Sequence, residues 1–366
     1  MIDEIAADLG FSSAAAGLVT SVPILCFGLL APIAPAVTRR LGAERALALA
    51  LVPVLVGVLV RAAPSAAALF AGTILAGAGV AVGNVVVPAI VKRRFEDRAG
   101  AIMGIYVATL GGGAALAAGL TVPLERALDG GWQAALAVWA LPAALAVAVL
   151  GLAVLVDRGS STARGGTGGL LNLLRDPVAW QVTAFMGLQA LIFYAGLAWL
   201  PSILRDEGFG AGEAGALLAV YVLGGIPTSL AVPVVATKLR DQRLLAAGMT
   251  LLETAGLAGL LLAPGAAWLW VSVLALGQGA TFSLALTLFV LRAPDSRRAG
   301  ELSGMAQAIG YCVAASGAFV VGALEDWSGG WGVPLAVLLA LTGALLAAGL
   351  GAGRDRFVAA GHTPAP

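Results

Sequence analysis

Apolar residues run along this chain in long blocks, each about the length of a bilayer-crossing helix, and the polar residues are gathered into short stretches between them. Cutting at the charged and Gly/Pro/Ser-rich stretches predicts eleven spans: 14–37, 46–63, 67–91, 99–122, 132–156, 178–204, 213–236, 244–263, 267–291, 299–323 and 333–352. Connections as short as APSAA (63–67) and APGAA (263–267) force neighbouring helices to run antiparallel. The pattern is that of an all-α polytopic membrane protein.

Composition supports the pattern: 60% of the 366 residues are hydrophobic, 11% are charged, and the mean hydropathy is +0.97. A soluble domain carries about a quarter charged residues and could not cover such a chain. The net charge of +1 supplies no basic field, so nucleic acid is not expected as a partner; the expected partners are a small-molecule solute and the bilayer, with no obligate protein partner. Cys26 and Cys312 both lie inside apolar blocks, which excludes a disulfide framework and points to small buried hydrophobes.

Charge distribution sets the expected orientation. Antiparallel alternation puts 18 of the 21 basic residues on one side and leaves only Arg61, Arg126 and Arg205 on the other. By the positive-inside rule the C-terminus is expected in the cytoplasm and Met1 outside. The one long polar connection, 157–177, reads as a flexible cytoplasmic linker between an N-terminal half-bundle of five spans (1–156) and a C-terminal bundle of six (178–356), with 357–366 as a cytoplasmic tail.

The halves repeat. An offset of 198 places Asp8 on Asp206, Gly10 on Gly208, Pro35 on Pro233, Arg40 on Lys238 and Arg45 on Arg243; an offset of 200 places Gly77 on Gly277, Gly79 on Gly279, Lys92 on Arg292 and Gly104 on Gly304. Parallel repeats of this kind describe the two halves of a major facilitator fold, with a solute site near the membrane midplane between them. The counterpart of the 178–204 span would precede Met1, so a first helix of the usual twelve is expected to be missing here, through either an upstream start or a shortened protein. The opening MIDEIAADLGFS is acidic, lacks the features of a signal peptide and reads as an external loop.

Four blocks, GVAVGNVVVPAIVKRRF (79–95), AWQVTAFMGLQALIFYAGLAWLPSIL (179–204), LGQGATFSLALTLFVLR (276–292) and AGELSGMAQAIGY (299–311), make the chain similar to the cyanate and nitroimidazole transporters (CynX/NimT-like) of the major facilitator superfamily. The resemblance runs from Ile2 to about residue 350 and implies a plasma-membrane carrier of small solutes working by alternating access. It departs from the family in lacking the Asn-Leu-Arg-type segment of the first helix. It departs again in the gating loop, where Pro35 takes the place of a Gly and Arg39 that of an Asp, while Arg40 and Gly42 remain, with Lys238 as the repeat counterpart.

Polar residues inside spans are either packing glue or solute ligands, because lipid solvates neither. Candidates for a substrate-binding set are Asn84, flanked by Gly83 and near Pro88; Gln189, Phe193 and Tyr194, which follow i, i+4, i+5 spacing; and Gln278 with Thr281 one turn away. The resemblance places the spans of Asn84, Gln189 and Gln278 around a central cavity. Tyr106, Gln307 and Tyr311 are weaker candidates. Glu253 stands mid-span in LLETAGLAG and is a candidate coupling residue, but the resemblance puts its helix at the periphery, where a structural, protonated or hydrogen-bonded Glu is the alternative. Arg61 lies near the external end of its helix, which fits snorkelling or an anion-attracting role.

Enzymatic classes lose support from what is missing. The only histidine, His362, is in the tail, which removes His-based metal or nucleophilic chemistry from the spans, and neither Lys92 nor Lys238 follows a phosphate-binding glycine loop. No cofactor and no metal are expected. The competing readings are a non-transporting membrane scaffold or solute sensor, or an inactive truncated transporter.

Overall fold

The structure, a computed structural model, describes residues 5, 8–10, 13–128, 131–156 and 172–359; residues 157–171 of the expected linker, and 360–366 with His362, lie outside the described residues. Among the described residues there is no strand, as expected where lipid leaves backbone groups to be satisfied within each segment. The helices are α1 (Ser13–Leu30), α2 (Ile33–Leu41), α3 (Ala43–Arg61), α4 (Ala66–Arg94), α5 (Ala99–Ala127), α6 (Gly131–Val138), α7 (Ala140–Val156), α8 (Pro177–Asp206), α9 (Ala211–Leu223), α10 (Ile226–Lys238), α11 (Arg243–Leu262), α12 (Ala267–Leu291), α13 (Ser296–Ser328) and α14 (Gly332–Ala352).

Ten spans among the described residues are long and apolar enough to cross a membrane, α6–α7 and α9–α10 each forming one of them. An eleventh arises if α1 and α2, bent by 55° at a short break, are taken together. These are the eleven spans that the hydrophobic blocks predict, and the chain is a multi-pass membrane protein. The breaks have local causes: Pro32 sits between α1 and α2, and α9 hands over to α10 at Gly224–Gly225, just before Pro227.

Contacts divide the chain into two compact units, Met1–Ile90 with Leu116–Thr167, and Val91–Ala115 with Gly168–Pro366. In the first unit α3 packs against α6 and α7. Leu69, Trp132 and Leu136 form a buried cluster with Ile5, and the Trp132 indole donates to Asp8 Oδ2 at 2.9 Å.

The second unit is built around α8, which packs against α13, α14, α9 and α12, while α11 lies on α12 and α14. Close approach of α8 and α13 depends on Gly187 facing Gly310: a Cβ on Gly187 would stand 3.1 Å from the Gly310 Cα. Residues 91–115 join this unit through the start of α5, where a Cβ on Gly100 would meet the Pro233 carbonyl of α10 at 2.5 Å.

One end of the unit is tied by buried polar groups. Arg292 donates to the carbonyls of Ala352 (2.7 Å) and Gly353 (3.0 Å) and to Gln242 Oε1, while the Gln242 amide donates to Ala236 O at 2.9 Å and Leu239 O at 2.6 Å. Residues 172–176 and 354–359 belong to the same clasp. Asp176 caps α8 through the Val178 and Ala179 amides, accepts the Ala359 N–H at 2.6 Å, and lies beside the fully buried Leu173; the Val358 N–H donates to Arg292 O.

Candidate solute site

Most of the sequence-selected polar residues fall in the second unit, on α8, α12 and α13. Gln189 is 1% exposed; its amide donates to the Met186 carbonyl at 3.0 Å and contacts the Met186 sulfur at 3.4 Å, which keeps the side chain along its own helix. One turn on, Phe193 meets Tyr194 edge-on at 5.3 Å between ring centroids, and Tyr194 meets Tyr311 of α13 edge-on at 6.4 Å. The i, i+4, i+5 spacing thus brings Tyr194 to a phenol from the neighbouring helix. Tyr106 is half-buried near the start of α5. Gln307, also on α13 and 1% exposed, donates to Ser303 Oγ at 2.8 Å.

Tyr221 of α9 is the one tyrosine of the four that sequence reasoning passed over. Its ring stacks on Phe193 at 5.6 Å with 20° between planes, and its hydroxyl donates to Phe193 O at 3.2 Å. Gly196 makes room for it, since a Cβ there would stand 2.5 Å from the hydroxyl. The signal available in the sequence was composition: a chain with only four tyrosines has three on cavity candidates, and the fourth precedes the Gly224–Gly225 break.

Gln278 and Thr281 of α12 turn toward Glu253 of α11. Gln278 Nε2 donates to Glu253 Oε2 at 3.2 Å, and the Thr281 hydroxyl contacts Glu253 Oε1; the three residues are 3%, 0% and 0% exposed for Gln278, Thr281 and Glu253 respectively. Glycine at 277 admits the carboxyl side chain, because a Cβ there would stand 2.7 Å from Glu253 Cγ. The Glu253 side chain therefore points inward, whatever the place of its helix in the bundle.

The first unit holds the remaining candidates apart from Lys238. Asn84 is half-buried on α4. Arg39 and Arg40 are exposed in the last turn of α2, and Gly42 joins α2 to α3 at φ +84°, a left-handed conformation that a side chain would strain. Lys238 ends α10 in the second unit and is likewise exposed. Arg61 closes α3 and, with Thr121 and Trp139, lines a cavity of about 450 Å³; the Trp139 indole donates to Thr121 Oγ1 at 3.1 Å. Cys26 is buried as expected, whereas Cys312 is exposed on α13, because a span residue can satisfy its apolar surface with lipid as well as with protein. Among the described residues no group of three His, Cys, Asp or Glu side chains could hold a metal.

The Major Facilitator Superfamily profile matches residues 1–318. The chain belongs to that superfamily. This major facilitator is 38% identical over 362 residues to the 2-nitroimidazole transporter of Escherichia coli (strain K12), covering 98% of this chain and 91% of that protein. It is 31% identical over 324 residues to the cyanate transport protein CynX of the same organism, covering 88% and 83%. Both relationships place it among CynX/NimT-type carriers. Its fold matches the crystal structure of the E. coli fucose:proton symporter with a TM-score of 0.75 at 12% identity, covering 95% of this chain and 93% of that one. This major facilitator is a secondary transporter of small solutes and not an enzyme; the scaffold, sensor and inactive-transporter readings are not favoured.

Proposed function

We propose that the solute is a small polar or anionic molecule, cyanate-like or nitroimidazole-like, carried across the plasma membrane by alternating access, with the C-terminus cytoplasmic and the N-terminus of this chain external. The observation that carries this reading is the pairing of Tyr194 and Tyr311, on different helices, with Phe193 and Tyr221 behind them. Aromatic faces and edges suit a small planar solute, and phenol hydroxyls can donate to an anion or accept from an N–H. Asn84, Gln189, Tyr106, Gln278, Thr281 and Gln307 are proposed as further ligands, and Arg39, Arg40, Gly42 and Lys238 as the gating loops.

Uptake of labelled 2-nitroimidazole and cyanate into vesicles tests this. Tyr194→Ala and Tyr311→Ala are expected to lower uptake of the preferred solute about tenfold at limiting concentration, with Tyr→Phe variants intermediate. Unchanged uptake by both Ala variants would remove the aromatic pair from the site.

A further inference from the structure

Glu253 is a carboxyl in the interior of a membrane helix, and among the described residues no cation pairs with it. On its own helix the only other ionisable residue is Arg243, ten positions away in the first turn. Neither α12 nor α14, the two helices packed against α11, contains an ionisable residue within its bounds. From α14 comes Thr342, whose hydroxyl accepts from Thr254 at 2.9 Å; from α9 comes Tyr221, whose hydroxyl is directed to the Phe193 carbonyl. An ionised carboxylate held only by the neutral donors Thr281 and Gln278 would be an uncompensated charge in a medium that solvates it poorly.

A neutral acid closes the network. The contact between Glu253 Oε1 and Thr281 Oγ1 reads the same with the hydrogen on either oxygen. With the proton on Oε1, Glu253 donates to Thr281, and Thr281 donates onward to the Gly277 carbonyl at 3.2 Å. Glu253 Oε2 then accepts from Gln278 Nε2 at 3.2 Å. Every polar atom of Glu253 and Thr281 is matched.

One atom is left over. Gln278 Oε1 is buried and has no hydrogen-bond partner, and buried polar atoms of this kind call for an explanation. With the proton on Oε1, turning the carboxamide over would set its oxygen against the accepting Oε2 of Glu253, so the donation to Glu253 fixes the amide as it stands.

We propose that Glu253 is a proton-binding site whose neutral carboxyl, locked between Thr281 and Gln278, acts as a positioning residue that holds the Gln278 amide with its buried oxygen left unpaired for a hydrogen-bond donor on the solute. The second half of this statement rests on Gln278 being a solute ligand; the first does not. The arrangement selects donor-bearing solutes, such as an N–H heterocycle or the protonated form of a weak acid, over bare anions that can only accept.

Infrared difference spectroscopy on the purified protein in lipid tests the proton site without any transport assay. A carbonyl band of a protonated carboxylic acid should be present across the neutral pH range and vanish in Glu253→Gln. Its absence in the wild type overturns the proposal. Transport then tests positioning. Glu253→Gln reproduces both the donor to Thr281 and the acceptor for Gln278, so it should keep the wild-type KM and pH profile, while Glu253→Leu should raise KM for an N–H solute about tenfold with normal amounts of folded protein. Loss of transport in folded Glu253→Gln, or a KM unchanged in folded Glu253→Leu, overturns the positioning role. If wild type moves none of the solutes offered, the functional reading fails while the infrared result still decides the proton site.

Discussion

The Trp331 indole donates to Asp206 Oδ2 at 2.7 Å, pinning the start of α14 to the end of α8. The first unit contains the same pair in Trp132 and Asp8, at 2.9 Å and almost the same sequence separation, 124 against 125 residues. Asp8 and Asp206 are also superposed by the internal repeat, so one staple has been kept in both halves. Trp331→Phe and Trp132→Phe are each expected to lower thermal stability in detergent by about 1 kcal/mol, a typical net value for one hydrogen bond. Because the residues lie in separate units, the double variant should show the sum of the two effects, and a clearly non-additive result would contradict independent staples.

Helix contact through glycine gives a sharper contrast. Gly187 and Gly310 face each other across α8 and α13, whereas a Cβ on Gly343 of α14 meets nothing within 4 Å. Gly187→Leu should abolish folded protein, measured as monodisperse material after detergent extraction, and Gly343→Ala should be neutral or mildly stabilising because alanine favours helix. Equal behaviour of the two variants would show that α8–α13 packing is looser than described.

The start of α11 supplies a pH-dependent effect outside the membrane spans. The Arg243 backbone N–H and guanidinium, both bonded to Asp241, hold its carboxyl below the ordinary carboxylate range. A depressed folded-state value contributes stability that is present above the unfolded value and is lost as pH falls through the folded one. Asp241→Asn should therefore be less stable than wild type at neutral pH, with the gap closing in acid. A gap that widens in acid would contradict the assignment. The pair is exposed, so the effect should be small and weaken with salt.

Topology follows from the 18 to 3 division of basic residues. A reporter fused after residue 165 should be cytoplasmic and one fused near Gly210 external. Finding both on one side would overturn the proposed orientation.

The spans and the family were legible because they are written in block length and in the four blocks at 79–95, 179–204, 276–292 and 299–311. Side-chain direction was not. A helix such as α12 is apolar all round, so no polar stripe marks which face meets protein and which meets lipid. For that reason Gln278 and Thr281 could be picked out as unusual, yet their attachment to Glu253 could not be foreseen, and Glu253 itself was assigned by its helix instead of by its inward face. Tyr221 escaped for the same reason: its stack on Phe193 joins residues 28 positions apart through a turn of the bundle that the sequence does not encode locally.

The central claim, that this chain moves a small solute across a bilayer, is tested most directly by reconstituting the purified full chain into lipid vesicles and following labelled 2-nitroimidazole and cyanate. Saturable, time-dependent entry of at least one of them above that in protein-free vesicles, reduced in Tyr194→Ala, is the predicted result. Entry no faster than in protein-free vesicles, with folded and correctly inserted protein, would contradict it.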